Sequence, residues 1–192
     1  MQAARGASLS PEPVPDGVVG SASQGHRHRR ALVVLAAAAV LAYALDLGTK
    51  LLAVDRLTPG RPVELVGSLL RLNLTRNPGA AFSTGTSYTL LITLGAIAAV
   101  VVIAYVARRV ADPAWAAGLG LLLAGVAGNL TDRVFRAPDV FRGQVVDFLE
   151  LPHWPVFNLA DVCIDVAVAV IVVQVWRGIK VDGRRHEPDG AA

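Results

Sequence analysis

The chain has 192 residues and a formal net charge of +3, and 54% of its residues are hydrophobic whereas only 17% are charged. Typical soluble domains carry about 25% charged residues, so the composition excludes an ordinary soluble domain and predicts an integral membrane protein. The basic excess has no interleaved aromatic residues, and we therefore attribute it to the flanks of membrane spans and expect no nucleic-acid binding.

The N-terminal region predicts a tail followed by a first membrane span. Residues 1–30 are rich in Pro, Gly, Ser and Ala and end in a basic run, so we expect a disordered cytoplasmic tail. The apolar segment 31–54 follows. Its basic flank and the sequence Ala42-Tyr43-Ala44 are also typical of a cleavable signal peptide, but the apolar composition continues to Val54 and favours an uncleaved anchor.

Three further apolar segments have the length of about 17–25 residues that a span requires. They cover residues 88–107, 114–130 and 156–176. The sequence thus predicts an all-α domain of four transmembrane helices over residues 31–178, with a flexible cytoplasmic tail over 179–192. Lys and Arg near the span ends favour cytoplasmic N- and C-termini, although the opposite loops also contain arginines and the bias is modest.

The first extracytoplasmic loop of this topology has the pattern of short strands. Residues 63–66 and 69–74 alternate apolar and polar side chains with a period of two, as strands do and helices do not. We therefore predict a small β-rich element in this loop, lying on the membrane surface.

Asp46 and Lys50 place two opposite charges on the first span. They are four residues apart and share a helix face, in the order that favours an ion pair. The simpler interpretation is a structural pair in which the Lys50 side chain reaches outward to the interface. A functional role is compatible with that interpretation.

Two stretches predict local structure and imply no chemistry by themselves. Asn77-Pro78-Gly79 has the residues of a type II turn and predicts a hairpin corner. On the third span, Gly120, Ala124 and Gly128 form a face of small residues that allows another helix to approach closely.

The most informative residues are two aspartates, Asp147 and Asp161. An ionisable residue at membrane depth costs about 2.5–3.5 kcal/mol and is by default a functional hypothesis. Asn158 and Asp161 alone predict a capping box at the start of the fourth span. Asp147 supplies a second carboxylate that a cap does not need, and two converging carboxylates predict acid/base chemistry on a shared water.

The polar residues near this pair also have structural interpretations. Asn129, Asp132 and Arg133 close the third span and are compatible with a polar helix end that contains a local ion pair. Asp165 lies one turn deeper than Asp161. We interpret it as a satisfied polar residue inside the bundle, with an influence on the ionisation of Asp161 as the alternative.

Five stretches occur together in this order: Asp46–Lys50, Asn77–Phe82, Gly125–Arg133, Val145–Phe148 and Phe157–Asp161. With these stretches the chain resembles the lipoprotein signal peptidase family, the signal peptidase II of bacteria, over about residues 31–178. Two positions depart from the family pattern. Ala124 stands where a glycine is usual, and Asp165 stands where an uncharged residue is more usual.

The resemblance implies an aspartic endopeptidase that removes the signal peptide from diacylglyceryl-modified prolipoproteins, cleaving before the lipid-modified cysteine. It implies that Asp147 and Asp161 are the catalytic residues. It gives substrate-binding or supporting roles to eight others: Asp46, Lys50, Asn77, Gly79, Asn129, Asp132, Arg133 and Asn158. The expected partners are prolipoproteins and membrane lipids. The expected form is a monomer in the bacterial cytoplasmic membrane, with its active site near the extracytoplasmic face.

The physical chemistry of the pair leaves the individual roles open. Two nearby carboxylates in a low dielectric share a proton near neutral pH, so that one acts as base and the other as acid. Coupled groups titrate as a pair, and the sequence does not decide which aspartate takes which role. No Cys/His spacing predicts a metal site, Cys163 is interpreted as a packing residue, and no cofactor is expected.

Two other functions are considered. In a small transporter or proton-conducting subunit, Asp46, Lys50 and Asp161 would form a relay. That function predicts polar residues through the full membrane depth, whereas the inner halves of spans two to four carry little beyond Gln174. A non-catalytic assembly subunit would leave the clustered carboxylates unexplained.

Overall fold

The computed structural model describes residues 16–79 and 86–185. Within these residues four helices are long and apolar enough to cross a membrane, which confirms the predicted multi-span helical fold. The helices are α1 (Asp16–Arg56), α2 (Thr86–Ala107), α3 (Pro113–Phe135) and α4 (Leu159–Trp176), and the strands are β1 (Val63–Val66), β2 (Leu70–Asn77) and β3 (Val145–Glu150).

The first helix begins well before the predicted span. It starts at Asp16, so residues 16–30, which we predicted to belong to a disordered tail, are helical. The apolar span already supplies the helix nucleus, so that each residue added before it needs only propagation, which is far less costly than nucleation. His28 also fixes the extension, because its Nδ1 lies 2.7 Å from the carbonyl oxygen of Val110. Residues 1–15 lie outside the described residues.

The three strands form one antiparallel sheet in the order β1-β2-β3. The two strands predicted in the first loop are confirmed as β1 and β2. The sequence did not predict β3, because its first four residues are all buried and do not alternate. The sheet packs on the end of α1, where Leu74, Val146 and Phe148 surround Ala53. We call this end of the bundle the sheet end.

Helix α3 lies at the centre of the bundle and packs against the other three helices. The predicted small-residue face is confirmed. A Cβ atom at Gly120 would lie only 2.5 Å from the backbone oxygen of Leu35, so α1 approaches there at backbone contact. Ala124 packs against Ala42 and Cys163. Cys163 is a buried free thiol, in agreement with its interpretation as a packing residue.

The opposite end of the bundle is closed by the chain after α4. Residues 179–185 belong to the tail that we predicted to be flexible, but they form a defined turn against the α2–α3 connection. The Ala111 N–H donates to the Val181 carbonyl oxygen at 2.9 Å, and the Trp115 Nε1–H donates to the Ile179 carbonyl oxygen at 2.8 Å. A buried indole N–H requires an acceptor, and this segment supplies one. Residues 186–192 lie outside the described residues.

Candidate active site

Asn158 joins the two predicted aspartates at the sheet end of the bundle. Its side-chain amide donates to Oδ1 of Asp147 at 2.6 Å, and its backbone N–H donates to Oδ2 of Asp161 at 3.0 Å. Asp147 comes from β3 and Asp161 from the first turn of α4. The structure therefore brings the two carboxylates to opposite sides of one residue.

Asp147 is held by two amides in a buried position. It is only 2% exposed, and its Oδ2 accepts a hydrogen bond from Nδ2 of Asn77 at 2.9 Å. Burial raises the pKa of the Asp147 carboxyl from its ordinary 3.8 to about 6, since the charged form is poorly solvated; the amides of Asn77 and Asn158 oppose that rise, and the charge of Asp161 adds to it. Asp147 can thus hold or release a proton close to neutral pH.

Asp161 caps the start of α4 and also lies next to Asp147 in the site. The predicted capping box is confirmed, because the Asn158 side chain accepts from the Asp161 N–H while the Asp161 side chain accepts from the Asn158 N–H. The other carboxylate oxygen, Oδ1, accepts from Nδ2 of Asn129 at 2.8 Å. Asp161 is less buried than Asp147, so it forms the more accessible side of the pair.

A buried ion network supports Asn129. The Lys50 ammonium contacts Asn129 Oδ1 at 3.0 Å, Asp46 Oδ2 at 2.9 Å and Asp132 Oδ2 at 3.1 Å. Lys50 is 1% exposed, so the expectation that its side chain reaches outward to the interface is wrong. Two buried carboxylates hold it inside, and Arg136 pairs with the other oxygen of Asp132. The four charges balance, as buried charges must.

Asp46 and Asp132 position the elements that carry the two aspartates. Oδ1 of Asp46 accepts from the backbone N–H of Ala160 at 2.9 Å, which satisfies a donor in the first turn of α4. Oδ2 of Asp132 accepts from the backbone N–H of Val146, next to Asp147, at 3.2 Å. Gly128 makes room for this arrangement, since a Cβ there would overlap the Asp46 carboxylate.

The turn at Asn77–Gly79 fixes the amide that binds Asp147. Gly79 has a φ of +100°, as predicted for the third position of a type II turn. Its N–H donates to Oδ1 of Asn77 at 2.8 Å, which leaves the Asn77 amide group directed at Asp147. The hydroxyl of Thr89 on α2 donates to the Pro78 carbonyl oxygen at 2.6 Å and ties the turn to the bundle.

Arg133 places an unused donor beside the pair. Its side chain is 7% exposed, and within the part of the chain that the structure describes its Nη1 has no hydrogen-bond partner. The negative charges that act on the guanidinium are those of Asp147, Asp132 and Asp161. A buried N–H group without a partner is costly. This geometry therefore suits a donor that binds an acceptor atom of a ligand.

A cavity of about 520 Å³ opens beside Asp147. The end of β2, the turn that follows it and the residues Pro155 and Val156 ahead of α4 form its walls. All ten predicted site residues thus lie in or around one region. Within residues 16–79 and 86–185, no group of three or more His, Cys, Asp and Glu side chains is arranged to hold a metal ion.

The structure also shows what the sequence did not indicate. Arg136 and Thr89 contribute to the site, and only the spacing of Arg136 four residues after Asp132 could have signalled its role. Asp165 is exposed and has no hydrogen bond or ion pair among the described residues. The interpretation of Asp165 as a satisfied polar residue inside the bundle is therefore wrong, because its side of α4 is not covered.

Comparisons with known proteins show which proteins the chain is similar to. The family model described as signal peptidase (SPase) II matches residues 38–177. The chain is 48% identical over 161 residues to a lipoprotein signal peptidase of Streptomyces coelicolor, covering 84% of this chain and 79% of that protein. It is 45% identical over 178 residues to a lipoprotein signal peptidase of Mycobacterium avium, covering 92% of this chain and 98% of that protein. Two solved structures of bacterial membrane enzymes match with TM-scores of 0.65 and 0.63, at 26% and 25% identity, over 72% and 78% of this chain and 89% and 91% of theirs.

Proposed function

This chain belongs to the signal peptidase II family, and from that premise we propose that Asp147 and Asp161 are its two catalytic carboxylates. As a member of the family it is a membrane protease that removes signal peptides from prolipoproteins. The observation that carries the proposal is the double contact of Asn158, which donates to one oxygen of each aspartate and so holds both carboxylates at one site.

The reaction proceeds as hydrolysis by a pair that shares one proton. The ionised carboxylate removes a proton from a water molecule, and the water oxygen attacks the scissile carbonyl carbon. The protonated carboxylic acid donates to the carbonyl oxygen, which gives a gem-diol. When the gem-diol collapses, the C–N bond breaks, a proton passes to the leaving amine, and the pair returns to its singly protonated state. The pKa of about 6 at Asp147 suits a group that exchanges this proton near neutral pH.

Asn129 and Arg133 have different roles in this proposal. The Asn129 amide is already engaged, since Nδ2 donates to Asp161 while Oδ1 accepts from Lys50 and Asn158. Asn129 therefore positions Asp161. Arg133 retains a donor that has no partner within residues 16–79 and 86–185, and it binds a backbone carbonyl oxygen of the substrate next to the scissile bond.

We place the site at the extracytoplasmic face of the cytoplasmic membrane. More basic side chains lie at the end of the bundle away from the sheet (Arg27, Arg29, Arg30, Arg108, Arg109, Arg177, Lys180, Arg184 and Arg185) than at the sheet end, which carries Arg56, Arg61, Arg71, Arg76, Arg136 and Arg142. Basic flanks mark the cytoplasmic side, so the sheet end faces outward. The scissile bond lies just before the diacylglyceryl-modified cysteine, and lipids surround the four spans. We propose that the active form is a monomer.

The test is cleavage of a diacylglyceryl-modified prolipoprotein by Asp147→Asn and Asp161→Asn variants in membranes. Each is expected to lose at least about 100-fold in rate, since a general acid or base contributes on this scale. The matched control is Asp55→Asn, which removes an exposed carboxylate at the same end of the bundle and should cleave normally. Wild-type rates in either site variant would contradict the catalytic pair. No cleavage by the unmodified chain would contradict the function itself.

A further inference from the structure

Asp165 is an ionisable residue of a membrane span, and it has no partner among the described residues. It lies within the span formed by α4, it is exposed, and no hydrogen bond or ion pair reaches it among the described residues. By contrast, Asp46, Asp132 and Asp161 each accept hydrogen bonds from the protein. A carboxyl group at membrane depth without a partner is costly, and such a residue points to an external ligand.

Asp165 lies on the same side of α4 as Asp161. The two residues are four apart, which places them on one helix face about 6 Å from each other along the axis. The neighbouring side of α4 is covered, because Ala160 and Ile164 pack against Gly125 of α3. Cys163 packs against Ala42 and Ala124, and it is two residues, or about 200°, away from Asp165.

The uncovered face continues from Asp165 as an apolar stripe. Val168 is 49% exposed and Val172 is 58% exposed, and with Asp165 they follow the spacing of three and four residues that defines one face of a helix. The stripe therefore begins at Asp165, one turn from Asp161, and runs along α4 into the membrane. A segment bound at Asp161 and extending into the bilayer must pass along it.

The signal peptide of the substrate is that segment, since its scissile carbonyl has to reach Asp161. A peptide bond inside a helix cannot be attacked while its neighbours remain coiled, so the chain must unwind around the scissile bond. Unwound residues lose their internal hydrogen bonds, and in lipid no water replaces them. Extended chain advances about 3.3 Å per residue, so the distance from Asp161 to Asp165 corresponds to about two residues.

We propose that Asp165 accepts a hydrogen bond from a backbone N–H of the unwound signal peptide, about two residues before the scissile bond. This inference rests on the proposed function. The carboxyl group offers an acceptor oxygen to a donor that has no other partner in the membrane, and it thereby stabilises the unwound substrate in the cleavage position. Asp165 is a substrate-binding residue in this account, and it takes no part in proton transfer.

The test is a set of synthetic diacylglyceryl peptides in which each of the five residues before the scissile bond is N-methylated in turn, which removes one N–H at a time. The wild type is expected to lose about tenfold in kcat/KM at one position, the scale of one hydrogen bond. With the unmethylated peptide, Asp165→Leu should have a kcat/KM about tenfold below that of the wild type. Methylation at the sensitive position should then lower the kcat/KM of Asp165→Leu no further. Asp165→Asn keeps an acceptor oxygen and should behave as the wild type.

The comparison of methylated and unmethylated peptides in both proteins is a double-mutant cycle, which cancels the steric effect of the methyl group. Val102→Leu, at an exposed position of α2 away from this stripe, is the control and should leave every rate unchanged. Wild-type kinetics in Asp165→Leu, or equal methylation penalties in both proteins at every position, would overturn the inference. Asp161→Asn separates the two proposals: if it is inactive on all peptides while Asp165→Leu is normal, only the inference about Asp165 fails.

Discussion

Lys50→Met tests whether the buried ion network holds the active site together. The substitution removes an ammonium that contacts Asp46, Asp132 and Asn129. Asp132 keeps its contact with Arg136, and Oδ1 of Asp46 keeps the N–H of Ala160. Without the ammonium, Oδ2 of Asp46 has no hydrogen-bond partner within the described residues. The loss therefore falls chiefly on one buried carboxylate.

The magnitude follows from the burial of that carboxylate. Breaking a buried ion pair by removing one partner costs about 3–5 kcal/mol, since the remaining charge stays in a low dielectric. For a chain of this size that loss corresponds to a fall in Tm of about 10 °C. Thermal unfolding of the purified protein in detergent measures it. Asp46→Asn combined with Lys50→Met replaces the stranded charge with a neutral amide and should recover most of the loss.

Two results would refute this reasoning. A Lys50→Met variant that unfolds at the wild-type temperature would show that the network does not stabilise the fold. A double variant no more stable than Lys50→Met would show that the loss does not arise from Asp46. Lys180→Met, which removes an exposed ammonium at the opposite end of the bundle, is the matched control and should leave Tm unchanged.

Three further predictions concern the site. Gly128→Ala pushes a methyl group into the Asp46 carboxylate and should destabilise the protein by about 1–3 kcal/mol. Gly95→Ala, with open space around it, should stabilise the protein by about 0.5–1 kcal/mol. Equal Tm values for the two variants would be evidence against close packing at Gly128. Arg133→Lys keeps the charge without the Nη1 donor and should lower kcat/KM about tenfold at an unchanged Tm, and an unchanged kcat/KM would exclude substrate binding by that donor. The folded-state pKa of Asp147 is raised to about 6, so ionisation of this group lowers the free energy of unfolding of the wild type as the pH rises from about 4 to 6. Asp147→Asn does not ionise, and chemical unfolding should show its stability relative to the wild type increasing on the order of 3 kcal/mol across that window. A difference that does not change with pH would disprove the shift.

Local sequence patterns predicted the parts of this structure that depend on neighbouring residues. The spans follow from apolar length, the capping box from Asn158 and Asp161, and the turn from Asn77-Pro78-Gly79. Each depends on interactions within a few residues of the chain, and the corresponding predictions are confirmed. The packing face of α3 belongs to this group as well, because helical spacing alone decides which residues share a face.

Features that depend on distant contacts could not be predicted in the same way. The interpretation in which the Lys50 side chain reaches the interface is wrong, because Asp132, far along the chain, holds it inside. β3 has no alternation because both of its faces are covered. The exposed position of Asp165 depends on which sides of α4 its neighbours leave open, and no local pattern carries that information. The same contacts decide which of the site residues act directly and which only position others.

The most direct measurement is the rate of prolipoprotein cleavage by Asp147→Asn, Asp161→Asn and the variant that combines both. Groups that act as one unit lose nearly all activity when either is removed, and removing the second then costs little more. We expect each single variant to be as inactive as the combined one. Losses that multiply, or a single variant that retains most of the wild-type rate, would contradict a catalytic pair formed by Asp147 and Asp161.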